Sequence, residues 1–568
     1  MSISARIVTI ATAATAAVVL AFPASTQASA APASAKAATI TSFSPTSGVL
    51  GTAVTIKGTN FNSTSTVAFN GVASSAVTHT SSTTLVATVP PTASTGTIRV
   101  TTSGASVTST AKFTVTPGVK ASTTTGSPGS ATTLSYSGFG AHEAVDLYFD
   151  TADTGLAVAS AAGAGSFALS IPLAAVPGTH WITAVGRHSG YSAQLAFTVR
   201  TNWLQYQSGP SHHGSNGVEN VLSTGSVGGV EEAWRTAGHG TSYSSPAIVS
   251  GVVYGAFSDG TLRAFTETTG ALRWTYTTGG AIVSSPAVYN GIVYFGSDDQ
   301  YVYALNASTG KLVWRYETGS VVRSSPTVSN GEVYVGSFDD KLYALNAATG
   351  AKLWSFTAGG TIFSSPSVNG GVVYVGSGDG TVYAVNATTG APVWEYGTSG
   401  GVYASPVVQG GLVFVPSTDH TLYALRASTG ATAWTYATTG ALEATPAVAG
   451  STVYFGSDDG KEWALNSGNG QLRWSVSLAS GLATQQASMV ADGVVYTGDY
   501  AHTYALAASY GGVLDTLSVG TDYGGAVALN GAITVPDYLD GVLAHFTLDA
   551  ARSGSDVSRP IPADLQRR

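Results

Sequence analysis

The chain has no cysteine, two methionines and little charge: only 10% of its 568 residues are Asp, Glu, Lys or Arg. Without cysteine there is no disulfide framework, no thiolate metal site, no cysteine nucleophile and no lipidated N-terminal cysteine. A net charge of -8 offers no basic field for a phosphate backbone, so nucleic acid is excluded as a partner. Gly is plentiful, at 69 residues, alongside Ser, Thr, Ala, Val and Tyr. Strand formers and turn formers in this balance predict an all-β chain with many hairpins. The length suits three or four domains at about 150 residues each.

The N-terminus reads as a secretory signal peptide over residues 1–30. Arg6 supplies the positive start, Ile7 to Phe22 the apolar run, and Ala28-Ser29-Ala30 the small-x-small cleavage site. The competing reading, a membrane anchor, needs about 20 apolar residues. Loss of Arg6 takes the mature net charge to about -9. Residues 31–38 are an Ala/Ser/Pro linker, and 549–568 a polar tail with four arginines and two prolines. The tail has no apolar stretch and no Leu-Pro-x-Thr-Gly sorting signal, so the mature chain is expected to be released, without a membrane span and as a monomer.

From residue 201 to 548 one phrase repeats. Its proline recurs at Pro246, Pro286, Pro326, Pro366, Pro406 and Pro446. Its tryptophan recurs at Trp234, Trp274, Trp314, Trp354, Trp394, Trp434 and Trp474, again every 40 residues. A period of about 40 with several short strands per unit predicts a β-propeller. Each unit supplies four strands, through Ser-Pro-Ala-Val, Val-Val-Tyr, Leu-Tyr-Ala-Leu and the Trp. Asp259, Asp299, Asp339, Asp379, Asp419 and Asp459 fall in the hairpin between second and third strands. Turn chemistry explains that column, and a ring of calcium ligands is the competing reading. Six units are complete; a seventh (Ala487 to Leu506) is shifted and has Thr516 in place of Trp. An eighth (Gly525 to Phe546) lacks a Trp strand, whereas Glu231-Glu232-Ala233-Trp234 is a Trp strand without a unit. Eight blades, closed by pairing the two ends of the array, are therefore expected, with seven as the alternative. The tryptophans are assigned to docking each blade on the next.

Two β modules precede the array. In residues 39–116, alternation in Val54-Thr55-Ile56 and Ile98-Arg99-Val100 marks half-buried strands, and Asn70-Gly71 a tight hairpin. Its phrases Ile40-Thr41-Ser42-Phe43-Ser44-Pro45, Gly58-Thr59-Asn60-Phe61 and Val67-Ala68-Phe69-Asn70-Gly71 resemble the IPT/TIG family of immunoglobulin-like domains. That resemblance implies a spacer or a binding module. Residues 117–200 alternate in the same way at Val145-Asp146-Leu147-Tyr148-Phe149 and resemble the immunoglobulin-like repeats of secreted bacterial proteins. His142-Glu143 lacks the second histidine of a zinc helix, because Asp146 stands there.

The array resembles the PQQ-like (BamB-like, pyrroloquinoline-quinone-type) propeller repeats. Ala304, Asn306, Thr309, Gly310 and Trp314 follow the family phrase, as do Ala344, Asn346, Thr349, Gly350 and Trp354. Trp203-Leu204-Gln205-Tyr206 and His212-His213-Gly214 look like the family's lead-in. The resemblance implies either a quinone-dependent dehydrogenase or a cofactor-free scaffold. Against PQQ with calcium stand the bare 40-residue spacing, which leaves no room for cavity-building insertions, and the missing cysteine pair. No cofactor and no metal are expected.

Comparison among the units isolates one column that does not repeat. Before the Ser-Ser-Pro strand stand Tyr243, Val283, Arg323, Phe363, Tyr403, Glu443, Gln485 and Tyr523. This column is expected to ring one mouth of the channel and to bind a ligand, or else merely to fill an irregular mouth. No catalytic set emerges. His212 and His213, as neighbours on an extended chain, point to opposite faces, and His239, His420 and His502 have no triad spacing. The expected role is a secreted, non-catalytic binding or scaffold protein recognising an extracellular protein or glycan. The alternative is an extracellular enzyme, quinone-dependent or polysaccharide-active.

Overall fold

The structure is a computed structural model that describes residues 37–90, 93–139, 143–159, 164–520 and 523–548. The expected signal peptide, residues 31–36 of the linker, His142 and the polar tail lie outside the described residues. The chain divides into two compact units, one comprising residues up to 90 with 95–114, the other 91–94 with 115 onward.

The first unit is a sandwich of a four-stranded and a five-stranded sheet. Alternating residues of both sheets, among them Val54, Ile56, Leu85, Ile98 and Val100, are fully buried. Phe113 meets Phe69 edge-on at 5.4 Å, the arrangement that aromatic quadrupoles favour. Asn70 and Gly71 both take positive φ, 45° and 88°, and join Thr66–Phe69 to Val72–Ala73.

The second unit begins with a three-stranded sheet and a five-stranded sheet sharing one core, which includes Leu134, Tyr136, Leu147, Phe149, Ile182 and Phe197. Eight blade sheets follow. Blades 1 to 6 each have four consecutive antiparallel strands; blade 2 runs Ala287–Tyr289, Ile292–Gly296, Tyr301–Asn306 and Leu312–Glu317. Blade 7 has Met489–Ala491, Val494–Gly498, Thr503–Ala507 and Val513–Leu517. Blade 8 has Val527–Leu529, Ala532–Asp537 and Val542–Leu548, and its outer strand is Val230–Arg235 from the start of the array. Trp234 pairs with His545 there, and their rings stack at 4.8 Å.

Each repeating indole reaches into the next blade. Trp274 Nε1 donates to Ala307 O at 3.0 Å and Trp354 Nε1 to Ala387 O at 2.8 Å. The glycine of the repeat makes room for this contact, while the threonine before it bonds Asn306 within the turn. A Cβ on Gly310 would stand 2.7 Å from the Trp274 ring, and its φ is +67°. Blade 7 has no such indole, and its seam with blade 8 is filled by Leu222, Val227, Leu514 and Leu517. The aspartate column serves the turns: Asp299 Oδ1 accepts from Tyr301 N, and its Oδ2 from Tyr303 Oη and from Gly279 N.

Two further devices close the circle. Ser245 N donates to Ser285 Oγ, Ser285 N to Ser325 Oγ, Ser325 N to Ser365 Oγ, Ser365 N to Ser405 Oγ and Ser405 N to Thr445 Oγ1, at 2.8–3.0 Å. Ser488 N continues to Thr445 O, Ala487 N to Gly524 O, and Gly525 N returns to Ser245 Oγ at 2.7 Å. The second device is the lead-in segment 203–216, a strap laid along the innermost strands. Ile248 N donates to Trp203 O, Val288 N to Leu204 O, Val328 N to Gln205 Oε1 and Val368 N to Pro210 O. Val408 N, Val448 N and Val490 N donate to Ser211 O, His213 O and Gly214 O, and Asn216 Nδ2 donates to Ala528 O. Innermost strands thus lose their free edges, as buried backbone requires.

The extended chain expected at His212-His213 is not found. Gln207, Ser208, His212 and Gly214 take positive φ as the strap curls around the inner strands. His212 is fully buried, with Nε2 2.9 Å from Thr327 Oγ1, and burial lowers its pKa to about 3.

Replacing Trp354 by Ala empties the seam between blades 3 and 4 and is expected to cost about 3–5 kcal/mol in urea unfolding. Glu462 provides a pH test. It stands fully buried where blades 1 to 5 have Leu or Val, and it accepts from Ser488 Oγ and Thr497 Oγ1. Burial raises its pKa from 4.5 to about 8, so the folded chain favours the protonated acid. Its contribution is complete below pH 4.5 and is lost as pH rises toward 8. Glu462→Gln is expected to flatten the fall in urea midpoint between these values.

Candidate binding site at the channel mouth

The strap and the non-repeating column lie at opposite ends of the innermost strands. The strap meets the strands where they turn into the second strands; the column stands where the chain arrives from the preceding blade. Between them is a cavity of about 40 Å³, space for a few waters. Its wall is the serine circle, with Ser285, Ser325, Ser365, Ser405 and Thr445, and the strap contributes Tyr206. The Tyr206 hydroxyl is placed among Thr445, Gln207 and Ser405, and burial pushes its pKa up to about 12.

Tyr243, Val283, Arg323, Phe363, Tyr403, Glu443 and Tyr523 all line this cavity. Gln485 does not line it. Its amide backs the wall, donating to Glu443 Oε2 at 3.4 Å and to Asp458 Oδ1 at 3.1 Å. Tyr523 spans the mouth. It belongs to blade 8, yet its ring meets Phe363 of blade 4 edge-on at 5.8 Å, and its hydroxyl donates to Glu443 Oε2 of blade 6 at 2.9 Å. Its φ is +62°, a backbone state that is costly for an aromatic residue and is held by surrounding contacts.

A second rim supports the first and was not foreseen from sequence. Asp298 holds Arg323 through both carboxylate oxygens, at 3.0 and 2.8 Å. Phe338 packs on Phe363 at 6.1 Å, and Tyr538 on Tyr243 at 5.3 Å. Asp458 sits beside Gln485; burial first, and the Glu443 charge second, raise its carboxyl above the ordinary range. These residues come from the hairpin turns of preceding blades. The legible signal was a second non-repeating column, just before the turn aspartate: Ser258, Asp298, Phe338, Gly378, Thr418 and Asp458.

Among the described residues, the histidines form no catalytic set. His180 in the second sandwich has Nδ1 2.6 Å from Asp150 Oδ2 and Nε2 2.6 Å from Val176 O. Both partners are acceptors, so neither nitrogen is left for a serine. Glu143 accepts from His188 N and Ser189 N and anchors a turn. Among the described residues, no three His, Cys, Asp or Glu side chains are grouped to hold a metal ion. A larger cleft of about 350 Å³ separates the second sandwich from the closing seam. Asn530 bridges it, bonding Thr201 and Glu267.

This architecture defines a β-propeller preceded by β-sandwich modules. Residues 258–365, 298–404 and 346–537 match the family described as outer membrane protein assembly factor BamB, and 38–115 match the IPT/TIG domain. The chain is thus a PQQ-like, BamB-like propeller repeat protein with an N-terminal IPT/TIG domain. Among solved structures, BamB from Moraxella catarrhalis is similar at 18% identity, over 56% of this chain and 99% of that one, with a TM-score of 0.49. A quinohemoprotein alcohol dehydrogenase from Comamonas testosteroni is similar at 15% identity, over 61% and 80%, with a TM-score of 0.53. A europium-containing methanol dehydrogenase is similar at 13% identity, over 61% and 98%, with a TM-score of 0.54. At such identities the likeness concerns the fold. Comparison with curated proteins gives no match.

Proposed function

We propose that this chain is a secreted, non-catalytic recognition protein whose propeller binds an extracellular protein or glycan at the channel mouth. One observation carries the reading. The column that varies from blade to blade, while its neighbours repeat, converges on a single cavity. Core packing explains why the other columns repeat; it gives no reason for four aromatics, an Arg and a Glu to gather at one opening. The strap at the far end leaves that opening as the approach to the cavity.

The lining also weighs against the quinone-dependent alternative. A tricyclic quinone carries several carboxylates, whereas the lining is made mostly of hydroxyls and aromatic rings. Those carboxylates would need cations, and Arg323, the one cation in the lining, is already held by Asp298. Calcium would need clustered carboxylates, and Glu443 is instead bonded by Tyr523 and Gln485. The sandwiches suit spacing or attachment.

The combined variant Arg323→Ala, Phe363→Ala, Tyr403→Ala is expected to lose at least tenfold in affinity for whatever the intact chain captures on a glycan array or from the exterior of the producing cell. Unchanged capture would place the site elsewhere. Dye reduction with alcohols, dependent on added quinone and calcium, would replace this reading with the enzyme.

A further inference from the structure

The chemistry of the mouth points to the charge of its ligand. Hairpin turns between second and third strands pack against the mouth in every direction where contacts are seen, as Asp298, Phe338, Asp458 and Tyr538 do. Across the eight blades these turns carry eleven aspartates and neither Lys nor Arg. Aspartate is a common turn residue, which would be a sufficient reason if both ends of the propeller shared it. They do not. The eight turns between first and second strands use Asn-Gly, Ser-Gly or Gly-Gly pairs in most blades and carry one aspartate, Asp492. Arg263, Lys341 and Lys461, just past the turns, offset only part of this charge. One-sided acid of this kind projects a negative field from the mouth and draws cations to it.

Inside the mouth the same preference is built in side chains. Glu443 and Asp458 are brought close enough for one to raise the pKa of the other, with Gln485 between them. Phe363, Tyr403 and Tyr523 line the cavity beside Glu443. Aromatic faces next to a carboxylate attract an ammonium or guanidinium and offer little to an anion. The cation already present, Arg323, is neutralised by Asp298 and stacks over Phe338 at 5.6 Å.

We propose that the mouth receives a cationic side chain, the ammonium of a lysine or the guanidinium of an arginine on a protein partner, with Glu443 as its counter-charge and Phe363, Tyr403 and Tyr523 as its walls. This inference rests on the reading of the mouth as a recognition site and commits that reading to a basic protein segment over a neutral glycan. A cavity of about 40 Å³ takes the head group while the rest of the partner stays on the rim. The Tyr523 hydroxyl now donates to Glu443 at 2.9 Å, so the guest displaces one donor and supplies a charged one.

The test is calorimetric titration of the full chain with a blocked pentapeptide, Ala-Lys-Gly-Lys-Ala, and with the same peptide acetylated on both lysines. The free-lysine peptide is expected to bind at least tenfold more tightly than the acetylated one. Glu443→Gln, checked for an unchanged melting curve, is expected to reduce that binding at least tenfold. Tyr523→Phe, which keeps the ring as a wall and removes only the competing hydroxyl, is expected to strengthen it about threefold; a hydroxyl that merely holds Glu443 in place would weaken it. Equal binding of both peptides, or no effect of Glu443→Gln, overturns the proposal. A glycan that binds and is lost on changing Phe363 and Tyr403, with no response to lysine, overturns this inference while the recognition reading stands. A ligand indifferent to all of these residues overturns both.

Discussion

The fold depends on how eight innermost strands meet around one axis. Each presents a backbone edge inward, away from water, and every amide on that edge needs an acceptor. The chain answers at both ends of the strands. Near the mouth, a hydroxyl of each of blades 1 to 6 accepts an amide of its neighbour, main-chain carbonyls carry the link through blade 7, and the pattern returns from blade 8 to Ser245. At the far end the strap supplies acceptors in turn, from Trp203 to Gly214, to seven consecutive blades. The seven indoles hold the blades together from outside, but they leave the axis open; hydroxyls and strap close it.

This division of labour explains what the site is made from. Serine or threonine at the circle in blades 1 to 6, glycine under each of the seven indoles and aspartate in the turn are fixed by contacts that recur around the ring, so they recur in sequence. The residue just before the circle has no such duty. It stands near the axis, where eight copies of one side chain would crowd or repel one another, and there the chain places six different residue types. Tyr523 shows how far the symmetry is broken, since it crosses to blades 4 and 6.

Much of this was legible in residues alone. The 40-residue period gave the blades, and a Trp strand without a unit facing a unit without a Trp strand gave the closure between Val230–Arg235 and Val542–Leu548. The mouth column was legible because the units could be compared with one another. The strap was not, because the amides of the inner strands go mostly to its main-chain carbonyls, which carry no side-chain signature; Gln205 alone accepts such an amide through its side chain. His212 and His213 misled for the same reason, since an extended conformation was assumed where φ at His212 is +57°. The supporting rim was not legible, because Asp298 and Asp458 stand in turns where aspartate is common and their partners come from another blade.

The amides of Val288, Val328, Val368, Val408, Val448 and Val490 find their acceptors in the strap. Amide hydrogen exchange of the intact protein measures them one by one. They are expected to exchange as slowly as the ladder amides of the same blades, and to become fast together when Leu204 to Gly214 is replaced by a flexible glycine-serine segment of equal length. Fast exchange at these six positions in the intact chain, or protection that survives the replacement, would contradict a propeller closed along its axis by its own lead-in.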